Sequence, residues 1–505
     1  MCRYARLGVL LVLFLISCFG NDGFIAKAQG QTFTVNGKIT QPPVGTGPSI
    51  AGVSVLLSFN STQLMTQTDS SGNFSFANVP SGVTFDVTPS KAAFTFNPVS
   101  QGGVLSSDRT LFFTGSSSTA GEIRLGAAST AVSESAADLT VTVNRTGDTS
   151  TQATVDYATS DSAGSSGCNI VSGQASSRCD YLTTLGTLTF AAGESIKSIN
   201  IPLVDDAFAE GAETFTITLS NAVGGTLGVP SSESLTINDN DSSNGTSNPV
   251  DDTTFFVRQH YVDFLNREPD TSGLNFWTNE INQCGGDLQC REIKRINVSA
   301  AFFVSIEFQN TGYLVYRVYK AALGDLTNKP VAVQLVPFLR DTQKIGQGVR
   351  VGIGDWEAQL ETNKQAYILA FVQRPEFLTA YPNSMTAQQF VDKLNQNAGN
   401  VLSPADNANL VAVLGATPSD LNKRAQVLRS VAEDADLKNA EFNKAFVLMQ
   451  YFGYLRRNPD DAPDHDFSGD SFWLNKLNSF NGDYINAEMV KAFISSDEYR
   501  HRFGQ

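Results

Sequence analysis

Four carboxylates, Asp205, Asp206, Glu210 and Glu213, fall within nine residues. Asp239 and Asp241 follow a short alternating run that ends at Ile237. Carboxylates crowded this closely raise one another's pKa and cannot all stay ionised without a compensating cation. Their ligand atoms are hard oxygens, and Ca2+ takes roughly six to eight of these in a loosely defined shell. Mg2+ fits less well, because it demands a tight octahedron and keeps its waters. The chemistry implied is metal binding.

The elements that must position these groups are short strands. Leu139, Val141 and Val143 alternate with polar residues, as do Val155 with Tyr157 and Leu188 with Phe190. The alternation continues through Ile199, Ile201 and Leu203, then Phe215, Ile217 and Leu219, and closes at Leu235 and Ile237. Six or seven such strands predict a sandwich of two antiparallel sheets. On an up-and-down path, Glu134, Asp161, Asp180, Asp205, Asp206, Glu213, Asp239 and Asp241 all fall at strand ends on one side of the domain. The segment 121–241 carries fifteen Asp and Glu against four Lys and Arg. Bound calcium would offset that repulsion; a solvated acidic face is the plainer alternative.

A second, weaker metal candidate lies far downstream. Asp464, Asp466, Ser468 and Asp470, with Gly469, take the spacing of positions one, three, five, seven and six of an EF-hand loop. Position twelve is Asn475 where a bidentate Glu is wanted, and an acidic turn between helices is the competing reading. Cys168 and Cys179, and Cys284 and Cys290, are close in sequence. In an exported chain they read as disulfides, the local pairing being preferred among three connectivities. The three histidines are scattered, and no nucleophile elbow, HExxH motif or P-loop is present. Paired glycosidase carboxylates leave no local motif, so a hydrolase stays open.

Arg3 and Arg6 precede an apolar run from Leu7 to Phe19, which predicts an export signal. Two endings compete: cleavage after Ala26-Lys27-Ala28, giving a signal peptide of 1–28, or a lipobox at Leu15-Ile16-Ser17 with a lipid on Cys18. Both predict an extracellular or cell-surface protein, with membrane attachment only through Cys18. A net charge of −15 argues against nucleic acid as a partner.

Residues 31–114 read as all-β, with turns at Thr68-Asp69-Ser70-Ser71-Gly72-Asn73 and Val79-Pro80-Ser81-Gly82. The pattern resembles the carboxypeptidase-regulatory-like or Cna-B-like sandwich, which implies a spacer. A joint at 115–120 leads into 121–242. There the run Asp205-Asp206 through Glu210-Gly211-x-Glu213 to Leu219-Ser220-Asn221, with the ending Ile237 to Asp241, resembles the Calx-beta domain. That resemblance implies calcium ligands at Asp205, Asp206, Glu210, Glu213, Asp239 and Asp241, with Glu134 and Asp161 beside them. It departs from the family at Asp161-Ser162-Ala163-Gly164, at the cysteine-bearing insertion that follows, and at Asn240, where a third Asp is usual. Fewer charges imply weak sites suited to millimolar calcium.

A linker is expected over 243–252, and an all-α region over 253–505 built from three related units. Val257, Tyr261, Phe264 and Leu265 have helical spacing, repeated at Val315, Tyr319, Ala322 and Leu323 and at Val447, Tyr451, Tyr454 and Leu455. Arg267-Glu268-Pro269-Asp270 matches Arg457-Asn458-Pro459-Asp460, and Ser272-Gly273 with Phe276-Trp277 matches Ser468-Gly469 with Phe472-Trp473. Both Phe-Trp pairs are expected in the core, the alternative being a ligand-stacking platform. Ala301-Phe302 with Glu307-Phe308 recurs at Ala370-Phe371 with Glu376-Phe377 and at Ala492-Phe493 with Glu498-Tyr499. The pattern resembles a helical bacterial exoprotein domain of unknown function (domain of unknown function 4214), which implies a fold and no activity. The chain is thus expected to be two β-sandwiches, immunoglobulin-like or prealbumin-like, followed by an all-α repeat-containing domain. The expected role is a non-enzymatic surface protein in which calcium stiffens a stalk presenting the helices to an extracellular protein or glycan. The alternative is a secreted carbohydrate-active hydrolase with its active site in the helices.

Overall fold

The computed structural model describes residues 31–505, apart from 92–93, 118–120, 165–167, 243–244 and 246. The signal segment, with Cys18 and the site after Ala28, lies outside the described residues. The chain divides into two compact units, 1–119 and 120–505.

In the first unit, β1 (Thr32–Thr40), β2 (Ser54–Phe59), β3 (Thr62–Gln67), β4 (Asn73–Pro80), β5 (Thr84–Ser90), β6 (Phe94–Asn97), β7 (Gln101–Val104) and β8 (Arg109–Ser117) form two four-stranded sheets, ordered β4-β1-β8-β6 and β3-β2-β5-β7. Val35, Val55, Leu57, Phe74, Val87 and Phe113 point inward from alternate positions. The turn before β4 forms because Asp69 Oδ1 accepts from Ser71 N at 2.9 Å and Asn73 N at 2.8 Å. Gly72 closes it at φ +74°, and a Cβ there would meet Ile39 O at 2.4 Å.

The second unit opens on nine strands: β9 (Glu122–Leu125), β10 (Ser129–Ser133), β11 (Asp138–Thr146), β12 (Ala153–Thr159), β13 (Leu185–Phe190), β14 (Ile196–Pro202), β15 (Glu213–Val223), β16 (Thr226–Leu227) and β17 (Ser232–Asn238). Their sheets run β10-β17-β15-β12-β13 and β14-β11-β9-β16. The alternating residues named above make the core between them. Cys168 and Cys179 are bonded, as are Cys284 and Cys290, with Cα separations of 5.8 and 5.5 Å.

The remainder is helical. α1 (Thr253–Leu265) and α2 (Thr271–Asn282) start from Asp252 and Asp270, whose side chains cap the first turns, and α3 (Leu288–Val304) follows. No helix among the described residues is long and apolar enough to cross a membrane. The internal repeat is physical. Tyr261, Tyr319 and Tyr451 each meet a phenylalanine edge-on, Phe302, Phe371 and Phe493, at 4.9, 5.1 and 5.3 Å. In the first and last units the chain leaves the helix in the left-handed region, at Asn266 and Arg456. The next residue then pairs with the later glutamate: Arg267 with Glu307 at 2.7 Å, Arg457 with Glu498 at 2.6 Å. In the middle unit Asp325 follows Gly324 and binds Lys320 instead.

The Phe-Trp expectation needs correction. Trp277 and Trp473 are half-buried against Phe302 and Phe493, but Phe276 and Phe472 are each 57% exposed. The glycines beside them are fixed by packing. A Cβ on Gly273 would lie 2.2 Å from the Tyr261 hydroxyl, and one on Gly469 2.6 Å from that of Tyr451. Gly273→Ala is therefore expected to destabilise the second unit by about 1–3 kcal/mol through overpacking. Tyr261→Phe in the same chain should recover part of the loss in denaturant unfolding. Simple additivity of the two changes would refute the contact.

The segment expected as a linker joins parts that are packed together. Pro249–Asp251 forms a 3-10 turn with Val250 buried, and Val204 of the sandwich lies in the helical core. Arg258 Nη2 donates to Ala137 O and Leu203 O at 2.9 and 2.8 Å. Gln343 donates to Thr183 O and accepts from Leu185 N. Arg502 Nε donates to Arg178 O at 2.7 Å, and Ala207 N to Phe503 O at 3.0 Å.

Candidate metal centre

The acidic residues gather where strand polarity predicts. β10 runs parallel to β17, and Glu134 N donates to Asn238 O, which sets Glu134 beside Asp239. Glu213 opens β15 opposite Ile237. The loop 205–211 folds over this end through its own carboxylates. Asp206 Oδ1 accepts from Phe208 N at 2.8 Å, and Asp206 N donates to Glu134 Oε1 at 3.1 Å. Asp239 Oδ2 accepts from Glu210 N and Gly211 N, both at 2.7 Å, while its Oδ1 takes Asp241 N at 2.6 Å.

Two groups result, each with ligand oxygens within 4.8 Å of one another: Glu134, Asp239 and Asp241, and Asp180, Glu210 and Glu213. Glu134, Asp180, Asp206, Glu210 and Glu213 are buried. Burial, with Asp205, Asp239 and Asp180 nearby, pushes the Glu134 carboxyl up to about 7. Burial and the charges of Glu134, Asp180 and Glu210 push Asp206 up to about 10. Glu210 is raised to about 8 by burial and by Asp180, Glu134 and Asp239. Asp180 and Glu213 face each other, and burial holds both above the usual carboxylate range. Asp241 is raised too, by partial burial and then by Asp239 and Asp205. Asp205 thus lies by the first group, and Asp206 touches both through its field.

The donor set fits a hard divalent cation. Asp205 Oδ1, Asp206 Oδ2 and Glu213 Oε1 are buried with no hydrogen-bond partner among the described residues. Buried acceptors left in this state are costly unless something else fills their lone pairs. Seven of the eight sequence candidates meet here: Glu134, Asp205, Asp206, Glu210, Glu213, Asp239 and Asp241. Asn240 is exposed and stands apart.

Asp161 does not join them. The disulfide-bearing insertion lies along β15, with Ala175 N donating to Thr214 O and Thr214 N to Gly173 O. Asp161 is left exposed beside Arg178 and Tyr181. The insertion delivers Asp180 instead, fixed by Ser176 N on its Oδ2. Strand polarity already placed Asp180 on this rim; the family pattern gave it no ligand role.

The EF-hand-like candidate is also corrected. Asp464 is bound to Arg457 at 2.7 Å, taking the place that Asp270 holds near Arg267 in the first unit. Asp466 accepts from Ser468 N, and Ser468, Gly469 and Asp470 already belong to the helix Ser468–Ser479. Gly469 therefore makes no sharp loop turn. Asp470 is buried, which raises it to about 6, and it groups with neither Asp464 nor Asp466 as a metal set among the described residues.

Residues 118–241 match the model of the Calx-beta domain, and residues 235–311 that of a domain of unknown function (DUF4214). The second match covers the first helical unit of the three. No curated protein matches the chain. Among solved structures, the apo-form Calx CBD1 domain is 30% identical over all of its own length and 24% of this chain, with a TM-score of 0.21. The calcium binding domain CBD12 of CALX1.1 is 32% identical; the chain spans 46% of it, and it covers 24% of this chain, with a TM-score of 0.21. The sequence match falls on the segment that carries the two carboxylate groups, and the chain belongs to the Calx-beta family through its residues 118–241.

Proposed function

We propose that the rim of the second sandwich binds two calcium ions and that this binding fixes the helical region in place. The observation that carries the reading is the set of unpartnered buried oxygens on Asp205, Asp206 and Glu213, within and beside the two carboxylate groups. Glu134, Asp205, Asp239 and Asp241 would hold one ion, Asp180, Glu210 and Glu213 the other, with Asp206 between them. Calcium would supply charge neutralisation and a rigid link between strand ends. The loop it would order carries Ala207 and directly follows Leu203 and Val204, residues that dock the helices.

The wider role is an exported, non-enzymatic surface protein that presents a braced helical domain to an extracellular partner. The fate of the helical carboxylates supports it. Asp263 is held by Arg502, Glu307 by Arg267 and Asp341 by Arg374, each through two hydrogen bonds or more. Groups so committed are poor general acids or bases, which weighs against the hydrolase alternative.

Calorimetric titration of the full chain should show about two equivalents of calcium bound in the range of roughly 0.1–1 mM typical of extracellular modules. Glu134→Gln should weaken one equivalent and Glu210→Gln the other. No heat of binding up to tens of millimolar calcium would remove the assignment.

A further inference from the structure

A concave basic site, separate from the carboxylate rim, lies where the start of the helical region meets its end. The cavity, about 350 Å³, is bounded by Asp251, by Arg291, Glu292 and Arg295 of α3, and by Lys491 and Arg500. Four cations face two acids in a chain whose net charge is −15. Both acids are already engaged. Asp251 takes Arg500 through two bonds of 2.7 and 2.8 Å, and Glu292 takes Lys491 at 2.7 Å.

Arg291 and Arg295 have no ion pair among the described residues. They sit one helical turn apart, a spacing at which like charges destabilise a helix. Arg295 is pinned: Nη2 donates to Val250 O at 2.7 Å, and the guanidinium lies 3.8 Å from the centre of the Phe256 ring. Arg291 gives one hydrogen bond, to Thr253 Oγ1 at 3.3 Å. Burial, together with Arg291 and Arg500, holds Arg295 below its ordinary pKa. An oxyanion between the two guanidiniums would relieve their repulsion, meeting the donor fork of Arg291 and the charge of Arg295, whose Nη groups already hold backbone carbonyls. Leu288, which is 78% exposed, and Ile494 give the cleft an apolar side. Its volume is at the small end of ligand pockets, which suits one sugar ring rather than a chain.

We propose that this cleft binds an acidic sugar, with Arg291 and Arg295 taking its carboxylate or sulfate and Leu288 covering its apolar face. The test uses the full chain and four probes: galacturonate, galactose 6-sulfate, galactose and glutamate. Calorimetry or ligand-observed NMR should detect at least one of the two acidic sugars, and which one binds identifies the anion. Galactose should not bind, and glutamate should bind more weakly than the acidic sugar. Arg291→Gln should weaken sugar binding about 10-fold or more, as loss of a charge-assisted contact does. Arg291→Lys keeps the charge without the fork and should fall between. With its single long hydrogen bond, Arg291 should be replaceable without a change in melting; if the Gln variant melts early, the Lys variant decides. The proposal is overturned if neither acidic sugar binds, if galactose binds equally, or if both Arg291 variants bind as the parent does. Glutamate binding as tightly as the sugars would overturn it in favour of an acidic peptide.

Discussion

Calcium added to chelator-treated protein is expected to raise the thermal midpoint of the second unit, and tryptophan fluorescence is expected to report the rise. The chain has three tryptophans, Trp277, Trp356 and Trp473, all in the helical region. A shift seen by them is a shift of the helices, although the carboxylates belong to the sandwich. At a hundredfold excess over the dissociation constant each bound ion should add about 2.7 kcal/mol of stabilisation. Asp206→Asn separates this reading from a merely acidic surface, because its effects have opposite signs in the two states. Without calcium, Asn removes a buried carboxyl that faces Glu134, Asp180 and Glu210. Its Oδ1 can still accept from Phe208 N, and its amide can donate to a neighbouring carboxylate. The calcium-free protein should therefore become more stable, by about 1 kcal/mol or more. With calcium, the variant should lose most of the midpoint rise. If Asn at 206 leaves the calcium shift intact, the ligands lie elsewhere. If the sandwich responds to calcium while tryptophan fluorescence does not, the link to the helices is wrong.

The parts of this molecule that rest on local pattern were legible in its sequence. Period-two alternation from Leu139 to Ile237 marked six of the nine strands, and strand polarity brought six of the seven candidate ligands that meet to one rim, Glu210 coming from the acidic run between Asp206 and Glu213 and from the family pattern. It also placed Asp180 there, although the family pattern gave that residue no role. What failed was decided by non-local packing. Asp161 has the right polarity, but the insertion that pairs with Thr214 occupies the way to the rim, and no periodicity announces that. Asp464 has the spacing of a metal ligand, yet Arg457 claims it because the last unit reproduces the Arg267–Asp270 pairing with a longer loop. Phe276 and Phe472 share a motif with half-buried tryptophans, and only the fold shows that their own rings face outward. The union of sandwich and helices was invisible for the same reason. Its contacts include single side chains, Arg258, Gln343 and Arg502, that reach backbone carbonyls far away in sequence.

Arg502→Ala is the substitution with the largest expected cost, about 3–5 kcal/mol in denaturant unfolding. Arg502 and Asp263 are both almost fully buried, and their fork closes at 2.9 and 3.0 Å. Arg502 also donates to Tyr454 O at 2.8 Å, so one side chain ties the end of the chain to the first and last helical units. Removing it leaves Asp263 charged in a dry interior, with Arg456 at 4.0 Å and Gln259 as its remaining neighbours. The cost is chiefly that of the orphaned partner, so the double change Asp263→Leu with Arg502→Leu should be milder than Arg502→Ala alone. Arg502 Nε further holds Arg178 O, two residues before Asp180, and the adjacent Phe503 O holds Ala207 N in the carboxylate loop. Calcium affinity in Arg502→Ala should consequently fall several-fold although no ligand has changed, because the loop and Asp180 must then be ordered by the ion alone. A loss below about 1 kcal/mol with unchanged calcium affinity would mean that the sandwich and the helices stand independently.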